Sequence, residues 1–117
     1  MNRTDFVYLA DMLGMIDKIE QFVSGVDFES FAEDERTQFA VFHALEVIGE
    51  AANKLSKEFA EKNPSVSVRE AVELRNILIH GYDLIRLEVV WKTIEENLPE
   101  LKQQLLVSQS HLGSVAP

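Results

Sequence analysis

The chain has no cysteine, which removes disulfides, thiolate-bound metals and a cysteine nucleophile from its possible chemistry. Stability must come from packing. It also lacks any stretch near the roughly 18 apolar residues of a membrane span, and no apolar leader core follows Met1-Asn2-Arg3-Thr4-Asp5. A cytoplasmic protein with no membrane partner is expected. Basic residues are outnumbered 20 to 11, giving a formal charge of -9 that opposes an extended grip on a phosphate backbone. DNA is therefore not an expected partner, although net charge does not exclude a local pocket for one phosphate. Internal repeats, low-complexity runs and alternating strand patterns are absent as well.

What is present is an ordinary globular composition, 46% apolar and 26% charged over 117 residues, enough for one hydrophobic core. The expected domain occupies residues 1–107, and the small, polar, aperiodic stretch 108–117 reads as a flexible tail. Apolar residues at Phe6, Leu9, Leu13, Ile16, Ile19 and Val23 have the three-and-four spacing of a helix. Ser24-Gly25 stops it, and a short helical piece with two anchors, Phe28 and Phe31, follows.

A long second helix is expected from Asp34 to Phe59, with Val41, Leu45, Ile48, Ala52, Leu55 and Phe59 on one stripe. Its middle is small-sided, Gly49, Ala51 and Ala52 surrounding Glu50. A helical Gly costs about 1 kcal/mol relative to Ala, so another backbone is expected to come close there. Pro64 ends the segment by excluding Asn63 from helical geometry. Ser67 and Glu70 have capping-box spacing for a third helix carrying Val72, Leu74, Leu78 and Ile79 up to Gly81. A fourth runs from Arg86 through Leu87, Val90, Trp91, Ile94, Leu98, Leu101 and Leu105, with Pro99 as a kink or break. The fold class is therefore all-α, an antiparallel bundle of four to five helices.

Three histidines are available. His43 and Glu46 stand at i and i+3, too weak a pair for a metal site, and His43 is expected to be a partly buried, satisfied helix residue; His111 lies in the tail. No metal or other cofactor is expected. The segment Arg75-Asn76-Ile77-Leu78-Ile79-His80-Gly81-Tyr82 differs because it gathers a fixed cation, an amide, an imidazole and a phenol at one helix terminus. Arg75 can hold a phosphate and stabilise the charge of a pentacoordinate transition state, while the imidazole of His80 can take or give a proton. In an ideal helix Asn76 and His80 share a face, whereas Arg75 and His80 point about 140° apart. Either the terminus unwinds at Gly81 or a two-fold-related copy completes the site, placing the motif at a homodimer interface. By spacing alone the segment also fits an ordinary helix end, where Arg and His complement the dipole and Tyr covers the core.

With Arg75, His80 and Tyr82 in the pattern Arg-x4-His-x-Tyr, the sequence resembles the HepT-like family of the HEPN superfamily. Leu45 to Lys54 resembles that family's second-helix segment, and Val90-Trp91-Lys92-Thr93-Ile94 with Leu98-Pro99-Glu100-Leu101 resembles its last helix. The resemblance spans roughly residues 5 to 105, departing at Val68, where an aromatic residue is common, and at Glu73, where a small one is. It implies a metal-independent endoribonuclease toxin with RNA as substrate, acting as a homodimer and paired with a cognate minimal nucleotidyltransferase antitoxin. Arg75 and His80 would be catalytic, and Tyr82 would accept AMP from the partner. Asn76 would orient them, and Glu50 would buttress Arg75. The alternative is a non-catalytic helical subunit that binds a nucleotide or docks a nucleotidyltransferase.

Overall fold

The computed structural model describes residues 3–115, with side chains throughout except those of Arg3, Tyr82 and residues 111–115. Its elements are α1 (Arg3–Val23), α2 (Phe28–Glu33), α3 (Glu35–Lys54), α4 (Lys57–Lys62) and α5 (Val68–His80). A single 3-10 turn (Tyr82–Leu84), α6 (Leu87–Lys92), a π-helical segment (Thr93–Asn97) and α7 (Leu98–Val115) complete the chain. No described residue lies in a strand. Four rods, α1, α3, α5 and the α6-to-α7 rod, form an antiparallel bundle, and the short α2 and α4 close its ends. The all-α bundle expected from periodicity is the observed fold.

The core follows the predicted stripes: Leu9, Ile16 and Ile19 of α1, Val41, Leu45 and Ile48 of α3, and Leu98, Leu101 and Leu105 of α7 are all buried. Burying each such side chain contributes roughly 1.5–3 kcal/mol. Phe28 and Phe31 anchor α2 as expected, both against Trp91, with ring centroids 6.2 and 5.0 Å away. Phe6 and Ile79, placed on the apolar stripes by spacing, are instead 42% and 45% exposed.

Helix ends carry local chemistry. Asp27 and Asp34 cap α2 and α3 by accepting from the backbone N–H of Ser30 and Thr37. The Ser30 N–H lowers the carboxyl pKa of Asp27, and the Thr37 hydroxyl and N–H lower that of Asp34. Both caps therefore strengthen their helices above the ordinary Asp range near pKa ~3.9 and give way as pH falls through the lowered values.

Four expectations about the helix ends change. The long second helix breaks after Lys54: Leu55 is extended, and Ser56 caps α4 by accepting from the N–H of Phe59 at 3.0 Å. The break is held from a distance by the buried carboxylate of Asp5, which accepts from the N–H and hydroxyl of Ser56 at 2.8 and 2.6 Å. Ser67 starts α5 without a capping side chain; its N–H donates to Gln104 Oε1 across to α7 instead. Pro99 produces a widened turn and not a break, for the N–H of Leu98 reaches the carbonyl of Thr93, five residues back. That π-type turn accommodates a proline that offers no donor of its own. The last rod also continues past residue 107, where the domain was expected to end, because Ser108 is buried and its hydroxyl donates to Asn63 Oδ1 at 3.0 Å.

The small-residue gap behaves as predicted. A Cβ on Gly49 would overlap Cβ of Arg75 and lie 2.7 Å from the carbonyl oxygen of Ala71, so α5 rests directly on the α3 backbone. Gly14, also inside a helix, has nothing within 4 Å of such a Cβ. The same substitution should thus act with opposite signs, Gly49→Ala destabilising by about 1–3 kcal/mol and Gly14→Ala stabilising by up to about 1 kcal/mol. Urea denaturation followed by far-UV circular dichroism measures both.

Candidate active site

Arg75 leaves α5 on the side that faces α3, and its stem passes over Gly49, where no side chain obstructs it. Its guanidinium is then gripped from two directions. Nη2 donates to Glu50 Oε2 on α3, and Nη1 donates to Asn76 Oδ1 at 2.8 Å. The Arg75 side chain is 22% exposed and its Nε is buried with no hydrogen-bond partner among the described residues. An orphaned N–H of this kind costs about 1–3 kcal/mol, so the group is held in place by packing and by its two outer nitrogens. Each Nη retains a further hydrogen, and this fork suits the oxygens of a phosphate.

Glu50 also lies 3.7 Å from Lys54 Nζ, one turn further along α3, and Lys54 stands 6.0 Å over the ring of Tyr8. Two cations thus share one carboxylate. Glu73, the charged departure near Arg75, is paired with Arg69 at 3.1 Å on an exposed face and does not contact the guanidinium.

His80 is the last residue of α5, exposed, with no hydrogen-bond partner among the described residues. Gly81 ends the helix by donating its N–H to the carbonyl of Ile77 at 2.9 Å. Helical geometry is regular up to His80, so the terminus does not unwind to bring His80 and Arg75 together. The structure unites Arg75, Asn76 and Glu50 and leaves His80 on another face of the same helix. Tyr82 begins the 3-10 turn immediately beyond Gly81; its side chain lies outside the described residues. His43 is exposed, not partly buried, and His111 lies outside the described side chains. Among the described residues, no three His, Asp or Glu side chains gather as a possible metal site.

Sequence reasoning placed Glu50 beside Arg75 but missed Lys54 as a second claimant on that carboxylate; its i+4 position on the same helix was the available signal. Asn76, expected as an orienting partner, accepts from Arg75 although it shares a helix face with His80. No helix among the described residues is long and apolar enough to cross a membrane.

Comparison with known proteins supplies what geometry alone does not. A protein family described as "Ribonuclease HepT-like" matches residues 12–107. The chain is 41% identical over 102 residues to a "Probable ribonuclease HepT" of Thermococcus cleftensis, covering 87% of this chain and 93% of that protein. It is 37% identical over 98 residues to a "Putative RNase" of Methanocaldococcus jannaschii, covering 84% and 90%, respectively. A "Putative RNase" of Caldanaerobacter subterraneus is 36% identical over 103 residues, covering 88% and 92%. No solved structure matches.

The Arg75 arrangement predicts unequal roles for its neighbours. Glu50→Ala should cost about 1–2 kcal/mol by leaving a mostly buried guanidinium without its counter-charge, whereas Lys54→Ala, at an exposed and long ion pair, should lie within about 0.5 kcal/mol of wild type. Equilibrium unfolding in urea distinguishes the two.

Proposed function

As this chain belongs to the HepT-like ribonuclease family, within the HEPN superfamily, we propose that it is a metal-independent endoribonuclease whose catalytic residues are Arg75 and His80. The supporting observation is the guanidinium of Arg75, fixed by Glu50 and Asn76 with hydrogens to spare, on the same helix as an exposed imidazole. Because α5 is regular to His80, these two groups diverge, and a second copy supplies the missing half. The functional unit is a homodimer in which Arg75 of one copy and His80 of the other act on one phosphodiester.

In that arrangement the ribose 2'-hydroxyl gives its proton to His80 as its oxygen bonds to phosphorus. Arg75 holds the non-bridging oxygens as charge builds on them. The bond to the 5'-oxygen breaks, that oxygen takes a proton from water, and a cyclic phosphate end remains. Asn76 and Glu50 are positioning residues that keep the guanidinium aimed. The acidic remainder of the molecule suits selective handling of a short RNA region better than coating of a long one.

The same reading makes the chain the toxin of a toxin-antitoxin pair, acting in the cytoplasm and restrained by a minimal nucleotidyltransferase. The partner transfers AMP from ATP to the Tyr82 hydroxyl: the phenol oxygen bonds to the α-phosphorus, pyrophosphate leaves and the phenol proton passes to solvent. The position of Tyr82 just past the end of α5 supports this, since a nucleotide there adds bulk and negative charge beside a site meant for RNA phosphate.

Cleavage of a labelled RNA by purified protein in the presence of EDTA tests the assignment. His80→Ala and Arg75→Ala should each lower the rate by about 100-fold or more while remaining folded. Full activity in folded His80→Ala, or abolition of wild-type cleavage by EDTA, contradicts it. Tyr82→Phe should still cleave RNA but should no longer accept radiolabelled AMP from the nucleotidyltransferase; labelling that persists in Tyr82→Phe removes Tyr82 as the acceptor.

A further inference from the structure

One side of the bundle is open. α5 packs on α3 and the last rod packs on α1, leaving between α5 and α6-to-α7 a groove of about 460 Å³. Its floor is Leu45 and Ile48 of α3, and its apolar walls are Leu74 and Ile77 on one side with Val89 and Leu101 on the other. Ile77 and Val89 are 48% and 52% exposed, so apolar walls face solvent. The lining runs from Ser67 to Ile77 on α5 and from Val89 to Leu101 opposite, about 15–18 Å at 1.5 Å per residue. This is a trough about three helical turns long, not a compact pocket.

Its charge has one sign. Glu70 and Glu73 on α5 and Glu100 on α7 belong to the lining, and no Lys or Arg does. Glu73 is paired with Arg69, but Glu70 and Glu100 have no ion pair among the described residues. Glu70, Glu73, Leu74 and Ile77 form one i, i+3, i+4, i+7 stripe of α5, which adjoins the stripe of Asn76 and His80 along its Glu73 and Ile77 edge. An acidic lip repels RNA phosphate, so the trough is not a route for substrate. A second copy docked here about a two-fold axis would set carboxylates of one copy against those of the other.

Length, apolar floor and unpaired carboxylates together point to one occupant. We propose that the groove between α5 and α7 receives a basic amphipathic helix of a partner protein, its apolar face between Leu74, Ile77 and Val89 and its Lys or Arg flanks on Glu70 and Glu100. Thr93 and Asn97, in the π segment, offer polar contacts along one wall, and insertions of this kind recur at functional sites. This role stands whether or not Arg75 and His80 cleave RNA.

The test is fluorescence anisotropy of the full chain with a labelled 14-residue peptide of Leu and Lys, leucines at three-and-four spacing, and with a Leu and Glu counterpart. Saturable one-to-one binding of the Lys peptide alone is expected. It should weaken tenfold or more in Ile77→Lys, in Val89→Lys and in the double variant Glu70→Lys, Glu100→Lys. The remote double variant Glu33→Lys, Glu61→Lys, which changes net charge equally, should bind within twofold of wild type. Loss of binding in the remote variant, unchanged binding in both wall variants, equal binding of the Glu peptide, or no binding at all overturns the proposal. Sedimentation supplies a last arm: conversion of a dimer to a monomer by Ile77→Lys would assign the groove to a second copy and overturn it as well.

Discussion

The close approach of α5 to α3 at Gly49 is the constraint on which the rest depends. Without a side chain there, the stem of Arg75 lies against the α3 backbone, and its guanidinium reaches Glu50 on the same helix that carries the glycine. One glycine therefore sets the separation of two central helices and the position of the cation to which catalysis is assigned. Packing and chemistry are coupled at this point. A larger residue would move the helix and the charge together.

That coupling explains why the site tolerates an unsatisfied atom. The buried Nε of Arg75 lacks a partner among the described residues, yet the outer nitrogens are anchored by a carboxylate and an amide, and each keeps one further hydrogen to donate. The cost of the orphaned N–H is offset by packing elsewhere in the core. Lys54 draws on the same carboxylate, so Glu50 is shared between two cations in a chain of charge -9.

Much of this was legible in the sequence. The helical stripes located the four rods, and the cluster Gly49, Glu50, Ala51, Ala52 announced a close approach with a carboxylate at hand. Other features depend on contacts that periodicity does not carry. Ala52, Leu55 and Phe59 remain in helical register across the break at Leu55, whose geometry is secured by Asp5 from the far end of the chain. Ser108 looks like tail until Asn63 is seen beside it. Pro99 suggests a break, but the π turn before it lets the rod continue. Ile77 and Val89, which the predicted stripes pass over, line a trough that the chain leaves open.

The regularity of α5 as far as His80 gives the account its most exposed claim, that one active site draws Arg75 and His80 from different copies. Mixing Arg75→Ala with His80→Ala protein after unfolding and joint refolding tests it directly, because each mixed dimer then holds one intact composite site. Random pairing makes half the dimers mixed, each with one of two sites restored, so the account predicts recovery of about a quarter of wild-type RNA cleavage from two inactive parents. A mixture as inactive as its parents would contradict it.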